Sequence, residues 1–223
     1  LLVVSAQIVS LGLGILLGVY AAQNPNGLSS LLVNMLSLFG YAAPVFWTGI
    51  LLLIAFSLYI PIFPVAGMRD VTIESDNFLV HALDVVRHLF LPMITLASNF
   101  LAYYSRLCRA SMLEVLGADF VRTAKAKGLS QRDILMKHAL KNSLSPVITF
   151  AGLSFSAVVS GAILVETVYS WPGLGTLAFN SIIARDTPVL LGILIFSTLM
   201  VTVGNLLTDM VLRSIDPRIK GSQ

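Results

Sequence analysis

"RTAKAKGLSQRDILMKHALKNSLSP", residues 122–146, stands between two long apolar runs and gathers six basic residues, Arg122, Lys125, Lys127, Arg132, Lys137 and Lys141. The rest of the chain is poor in charge. Of its 223 residues 57% are hydrophobic and 11% charged, and the mean hydropathy is +0.89. A soluble domain carries about 25% charged residues, so this composition belongs in lipid. The first charge of any kind is Arg69. A basic segment between apolar runs sets orientation, because short loops rich in Lys and Arg stay cytoplasmic. Nucleic acid is a poor partner for it, since no aromatic residues interleave and membrane tethers both ends. The single cysteine, Cys108, excludes an intrachain disulfide and a cysteine-cluster metal site.

A bilayer core takes roughly 20 apolar residues of helix. Five segments meet that length, at about 1–21, 42–60, 89–107, 144–166 and 188–212. Each is expected to be helical, because lipid offers no partner to a free backbone N–H or C=O. "LLLIAFSLYI" (51–60) does not alternate, which argues against a barrel. The fold class is an all-α, polytopic transmembrane helix bundle. The segment 108–143, which adds Arg109, is expected to be cytoplasmic, and so is the tail with Arg213, Arg218 and Lys220. Counting backward places 61–88 outside and 22–41 inside as a charge-free loop. The outer segment carries Asp70, Glu74, Asp76 and Asp84 against Arg69 and Arg87. The sequence opens within an apolar run with neither Met nor the basic start of a signal peptide. A sixth span upstream is therefore expected, and 1–223 reads as one N-terminally incomplete membrane domain.

Small residues recur in the spans, Gly12, Gly14 and Gly18 in the first and Gly152, Ser154, Ser156, Ser160 and Gly161 in the fourth. Such faces let helix backbones approach closely in lipid, and some of them have the size to line a pore. Pro61, Pro64, Pro92, Pro146 and Pro188 are expected mostly at span ends.

Within the basic segment, residues 112–127 read as a helix with Leu113, Leu116, Phe120 and Ala124 on one face. Gly128 suits the left-handed position that ends a helix. Ser130 caps the next one, with Asp133 completing a capping-box pattern. Asp133 and Lys137 form a favourable pair four apart. Ile134, Leu135, Ala139 and Leu140 make the apolar side. The segment is thus a firm helix–turn–helix, suited to a membrane-surface anchor, a docking element for a cytoplasmic partner, or a gating segment.

These residues also carry a resemblance. The stretch is similar to the EAA loop of ABC importer permeases, in which Glu-Ala-Ala is followed at fixed spacing by Gly, Ile and Leu-Pro. Aligned on Gly128, residues Ala124, Gly128 and Leu140 match, while Arg122, Thr123, His138 and Lys141 depart. The run 109–149, "RASMLEVLGADFVRTAKAKGLSQRDILMKHALKNSLSPVIT", closely resembles the dipeptide, oligopeptide and nickel permeases. So do "PVFWTGILLL" (44–53), "ETVYSWPGLG" (166–175) and "DPRIK" (216–220). The resemblance implies the type I ABC importer permease fold and half of a translocation path for small peptides or related solutes. It implies ATPase subunits that bind ATP and Mg, a second homologous permease subunit, and an external solute-binding protein. The location is the bacterial or archaeal inner membrane, with membrane lipid around the chain and no cofactor in it. The coupling residues it implies are Asp119, Arg122, Thr123, Ala124, Lys125, Gly128, Leu129, Ser130 and Asp133. Arg122, where the family has Glu, is expected to favour acidic groups on the ATPase.

Glu166 ends the fourth span, beside Tyr169 and Trp171 and ahead of Pro172, Gly173 and Gly175. It reads either as an interfacial carboxylate in an aromatic belt or as part of an outer gate, with a turn or re-entrant bend following. Asn205 and Asp209 lie near the inner end of the last span. A structural hydrogen bond of Asp209, or its pairing with Arg213, competes with a place on the path. His81, His88 and His138 are scattered, and no metal cage is expected. No phosphate loop or hydrolase motif occurs, so no catalytic residue is assigned. A self-contained secondary transporter is the rival class, but the first three spans hold no central charge for ion coupling. A nickel or other small-solute importer is the rival within the family.

Overall fold

The computed structural model describes residues 1–215, the side chains of 155–161 and 215 excepted. The described chain is built from helices. These are α1 (Leu2–Gln23), α2 (Leu28–Ala42), α3 (Val45–Leu53) running into a π-helical turn (Ile54–Tyr59), and α4 (Phe78–Leu116). Then come α5 (Asp119–Ala126), α6 (Gln131–Asp133) running through a π-helical segment (Ile134–Leu140) into α7 (Lys141–Val168), α8 (Leu174–Ala184) and α9 (Thr187–Ile215). Four of the five expected segments fall in helix, 1–21 from Leu2 onward, and the fifth, 42–60, is helical only from Val45 to Tyr59, after a break at 43–44. Among the described residues, α1, α4 and α9 are long and apolar enough to cross a membrane, or four spans if α2 and 45–59 count as one.

Two features refine the expected segment ends. The charge-free connection 22–41 runs from the end of α1 through a turn at Asn24–Gly27 into helix α2. Pro25 and Gly27 mark the turn, and the Leu-rich sequence from Leu28 has no proline to stop a helix. Pro92 lies inside α4, because the helix begins fourteen residues earlier at Phe78. Pro146 is likewise inside α7. Arg218, Lys220 and the "DPRIK" stretch lie outside the described residues, as do the side chains of Ser156 and Ser160.

The chain divides into two compact units, each described separately. One comprises Leu1–Ile8, Ala43–Asn99 and Ser156–Val201. Its interior holds Leu91, Thr95, Leu96, Val165, Tyr169 and Trp171. The Tyr169 hydroxyl donates to the Gly49 carbonyl at 2.9 Å and lies 2.9 Å from the Thr95 hydroxyl. Gly67 N–H donates to the Tyr169 carbonyl at 2.9 Å, tying the irregular 60–77 segment to the end of α7. Phe63 stacks on Phe90 at 4.6 Å. Asp84 and His88, both buried on α4, pair at 3.1 Å, and Asp84 also accepts from Asp70 N–H at 2.7 Å.

The other unit comprises Val9–Ala42, Phe100–Phe155 and the chain from Thr202. Here Gly14 and Gly18, four apart, set α1 against α4. A Cβ at Gly18 would fall 2.6 Å from Cys108 Cβ and 2.8 Å from the Ser105 carbonyl. Close approach of small residues is how helices pack where lipid removes the hydrophobic drive. Gly12, by contrast, faces open space. The Tyr104 hydroxyl bonds Ser154 Oγ at 2.7 Å within a core that includes Val19, Cys108, Met112, Leu135, Ala139 and Val147.

Candidate functional site

The basic projection is held by three short-range devices. Helix α4 stops at Leu116, and Gly117 N–H bonds back to the Leu113 and Glu114 carbonyls. Ala118 is extended (ψ 152) and restarts the chain as α5. The helix expected over 112–127 is therefore broken at 117–118, and the break resets its phase. Val121 is fully buried and Phe120, expected on the apolar face, is 45% exposed. Val121 and Ala124 pack on Ile134, with Leu116 beside them.

Gly128 then turns the chain at φ +78. Its N–H bonds the Lys125 carbonyl and Leu129 N–H bonds that of Ala124, the paired pattern of a Schellman motif. No atom lies within 4 Å of a Cβ built there, so the need for Gly is conformational and not steric. Ser130 Oγ accepts from Asp133 N–H at 3.1 Å and donates to Asp133 Oδ2 at 2.6 Å. The expected box thus forms by half, because the Asp133 carboxylate takes the Ser130 hydroxyl and not its backbone N–H. Lys137 Nζ lies 2.7 Å from Asp133 Oδ1. That ammonium, then the Ser130 hydroxyl, hold the Asp133 carboxyl below its ordinary range. From Gln131 the helix runs unbroken to Val168.

Of the nine candidate coupling residues, Asp119, Arg122, Thr123, Lys125, Gly128, Leu129 and Ser130 are exposed, Asp133 is half-buried, and Ala124 is buried. Ala124 is thus packing beneath the surface that the others form. Arg122 faces Asp119 at 3.6 Å, both strongly exposed, a pair worth little in solvent. Lys125 and Lys127 form no ion pair among the described residues, and Arg132 acts on Asp133 only through space, so the exposed surface of the projection carries an excess of positive charge.

At the end of α7 the structure brings Glu166, Tyr169 and Trp171 together. Ser170 sits in the left-handed region (φ 50). Trp171 N–H bonds the Glu166 carbonyl at 2.8 Å and Ser170 N–H that of Thr167, a second Schellman turn. Without glycine this turn carries roughly 1 kcal/mol of strain. The aromatic belt is corrected, since Tyr169 and Trp171 are 2% and 4% exposed. Tyr169 fills the unit's interior by reaching from the end of α7 to Gly49 on α3 and Thr95 on α4.

Glu166 is itself buried, and its Oε2 accepts the Thr176 N–H at 2.8 Å. Thr176 is the third residue of α8, whose cap residue Gly173 has no side chain to offer. Glu166 therefore serves as the cap from ten residues away, and its charge complements the α8 dipole. A Cβ on Gly173 would collide with that carboxylate. Sequence reasoning missed this role; the one available signal was a glycine at a cap position with an acid upstream. The bend expected after Pro172 is this turn followed by the short apolar α8.

Asn205 and Asp209 lie exposed on α9, in the other unit. Asp209 forms no ion pair with Arg213, correcting that expectation. An exposed i,i+4 pair is worth only about 0.2–0.5 kcal/mol, too little to hold two flexible side chains. His81 bonds the Ser75 carbonyl at 2.6 Å and His88 pairs with Asp84. No three His, Cys, Asp or Glu side chains converge among the described residues.

The architecture is that of a type I ABC importer permease. It superposes with TM-score 0.66 on a chain of the MetNI methionine ABC transporter in an inward-facing conformation, at 15% identity, covering 96% of this chain and 93% of that one. Residues 14–221 match the family described as "Binding-protein-dependent transport system inner membrane component", and the chain belongs to that family. Among curated relatives, the oligopeptide transport system permease AppB of Bacillus subtilis is 37% identical over 220 residues, 99% of this chain and 68% of that protein. The di/tripeptide permease DppB of Pseudomonas aeruginosa is 40% identical, over 93% of this chain and 66% of its own length. The dipeptide permease DppB of Escherichia coli K12 is 37% identical, over 97% and 69%. The chain thus spans about two thirds of the length of these relatives, and it is a multi-pass inner membrane component.

Proposed function

We propose that the chain forms half of the translocation path of an ATP-driven importer of short peptides, and that residues 119–133 seat on a separate ATPase subunit. The observation that carries this is mechanical. The projection is capped at Gly128 and Ser130, packed internally through Val121, Ala124 and Ile134, and continuous with α7 through Gln131–Val168. Force applied at the turn reaches a membrane helix without crossing a slack joint. The cationic surface of Arg122, Lys125, Lys127 and Arg132 favours an acidic groove on that ATPase.

ATP and Mg are held by the partner, because this chain has no phosphate loop. A second permease of the same family completes the path and an external binding protein delivers the solute, whose peptide nature follows the names of the relatives. The basic projection and the C-terminal tail face the cytoplasm. The Glu166 turn and α8 then lie at the outer mouth, where they shape the gate.

The test is substrate-stimulated ATP turnover in the assembled, reconstituted complex. Gly128→Arg is expected to abolish stimulation while the membrane subunits still assemble, since Arg at this φ distorts the turn. Undiminished stimulation in that variant overturns the coupling role. Loss of the ATPase from the wild-type complex under conditions that keep the membrane chains together overturns the importer assignment.

A further inference from the structure

Within the unit that contains α2 and the later part of α4, a cavity of about 620 Å³ is lined by Asn34, Tyr41, Tyr103, Arg106, Leu107 and Arg109, together with small alanines. Its volume is that of a small-ligand site. No acidic residue lines it. Arg109 is committed to structure, its Nε donating to Ser30 Oγ at 2.9 Å and its guanidinium to the Pro25 carbonyl at 3.3 Å. Arg106 is different. It is exposed to the cavity and makes no hydrogen bond or ion pair among the described residues. The Asn34 amide and the Tyr41 and Tyr103 hydroxyls likewise have no protein hydrogen-bond partner there, Tyr103 being held only by its ring on Phe150 at 3.9 Å. Four side chains with unengaged donors surround one cavity, and the α4 wall adds the positive charge of Arg106 and Arg109, a combination that favours an anion.

The apolar surroundings narrow the choice. Leu31, Leu32, Met35, Leu36, Leu38 and Phe39 on α2 are each more than half exposed. In a membrane that face meets acyl chains. An anion that satisfies both the donors and that face is amphiphilic.

We propose that this cavity binds the phosphodiester headgroup of an acidic phospholipid, with Arg106 as the principal cation and the acyl chains along α2. Arginine matches phosphate through two parallel N–H donors, which gives geometric selectivity over a neutral or zwitterionic head. A basic pocket between membrane helices is a general means of holding such heads. The site is separate from the coupling projection and does not depend on which solute crosses.

The experiment is native mass spectrometry of the assembled complex after passage through bicelles of phosphatidylethanolamine and phosphatidylglycerol. Wild type is expected to retain phosphatidylglycerol, Arg106→Lys to retain most of it, and Arg106→Gln to lose about tenfold in occupancy. Arg87→Gln, an exposed cation outside the cavity, should leave retention unchanged. Arg106 makes no hydrogen bond or ion pair among the described residues, so Arg106→Gln should unfold at the wild-type temperature, which separates loss of site from loss of fold. Retention by Arg106→Gln equal to wild type overturns the proposal, as does equal retention of phosphatidylcholine. Displacement of the lipid by trialanine also overturns it, and would assign the cavity to a carboxylate-bearing solute.

Discussion

The carboxylate of Glu166, on α7, caps α8 through the backbone N–H of Thr176 at 2.8 Å, in the space that a side chain on Gly173 would fill. Two residues thus divide one task, the acid supplying the acceptor and the glycine the room. Removing the acceptor by Glu166→Ala should cost about 1–2 kcal/mol, the range of a lost helix cap, and Glu166→Gln distinctly less. Gly173→Ser should also destabilise, because its side chain displaces the carboxylate. In the Glu166→Ala background the same serine can cap α8 itself, and the double variant should be more stable than Glu166→Ala alone. Thermal unfolding of the purified complex measures all four. A double variant at the sum of the two losses would refute the shared cap.

Gly18 and Gly12 occupy the same helix and differ in surroundings. A methyl at Gly18 meets Cys108 and the Ser105 backbone, whereas one at Gly12 meets nothing within 4 Å. Gly18→Ala should therefore destabilise by about 1–3 kcal/mol, as overpacking does. Gly12→Ala should be neutral or stabilising by up to about 1 kcal/mol through helix propensity. Denaturant titration of the two variants in mixed micelles distinguishes them. Equal effects would mean that α1 does not rest on α4 through this face.

Asp133 supplies a pH test. Its carboxyl is held below the ordinary value, first by Lys137 and then by Ser130. A carboxylate with a depressed folded value contributes stability that is complete above its unfolded value, about 3.9, and is lost as pH falls through the folded one. The projection should hence be unaffected at neutral pH and loosen only in acid. Carbon-detected NMR of labelled Asp133 should place its midpoint below that of a free aspartate. Lys137→Met should raise the midpoint more than Ser130→Ala. The reverse order would show that the hydroxyl, not the ammonium, holds the charge.

What the sequence made legible follows from range. Gly128, Ser130, Asp133 and Lys137 act on neighbours three to five residues away, and their roles can be read from spacing alone. The buried face of α5 could not, because the break at Gly117–Ala118 shifts the helical phase and puts Val121 inside where periodicity put Phe120. Glu166 could not either, since its partner lies ten residues on, across a turn whose left-handed residue is Ser170 and not glycine. Helix α2, fifteen residues long, is too short to be read as a span and carries no charge that would orient it. Arg106 and Asn34 share a cavity only through packing of α2 against α4, which no local pattern announces.

The approach of α3 to Thr95 and Tyr169 gives the last test. A Cβ at Gly49 would sit 3.1 Å from Thr95 Cγ2, 3.4 Å from Tyr169 Cε2 and 3.5 Å from Val168 Cγ1. Only the first contact is tighter than ordinary packing, so one methyl group decides whether alanine fits. Gly49→Ala alone should cost about 1–3 kcal/mol. Thr95→Ser removes that methyl while keeping the hydroxyl that bonds the Leu91 carbonyl and meets Tyr169, at 2.8 and 2.9 Å. By itself it leaves a methyl-sized void and should cost about 1 kcal/mol. Combined, the alanine methyl occupies the void, total volume is conserved, and the hydrogen bonds of Tyr169 remain. The double variant should therefore unfold above Gly49→Ala and close to wild type. If its loss equals the sum of the single losses, α3 is held off Thr95 by something other than this contact, and the Tyr169 cluster does not set where α3 packs.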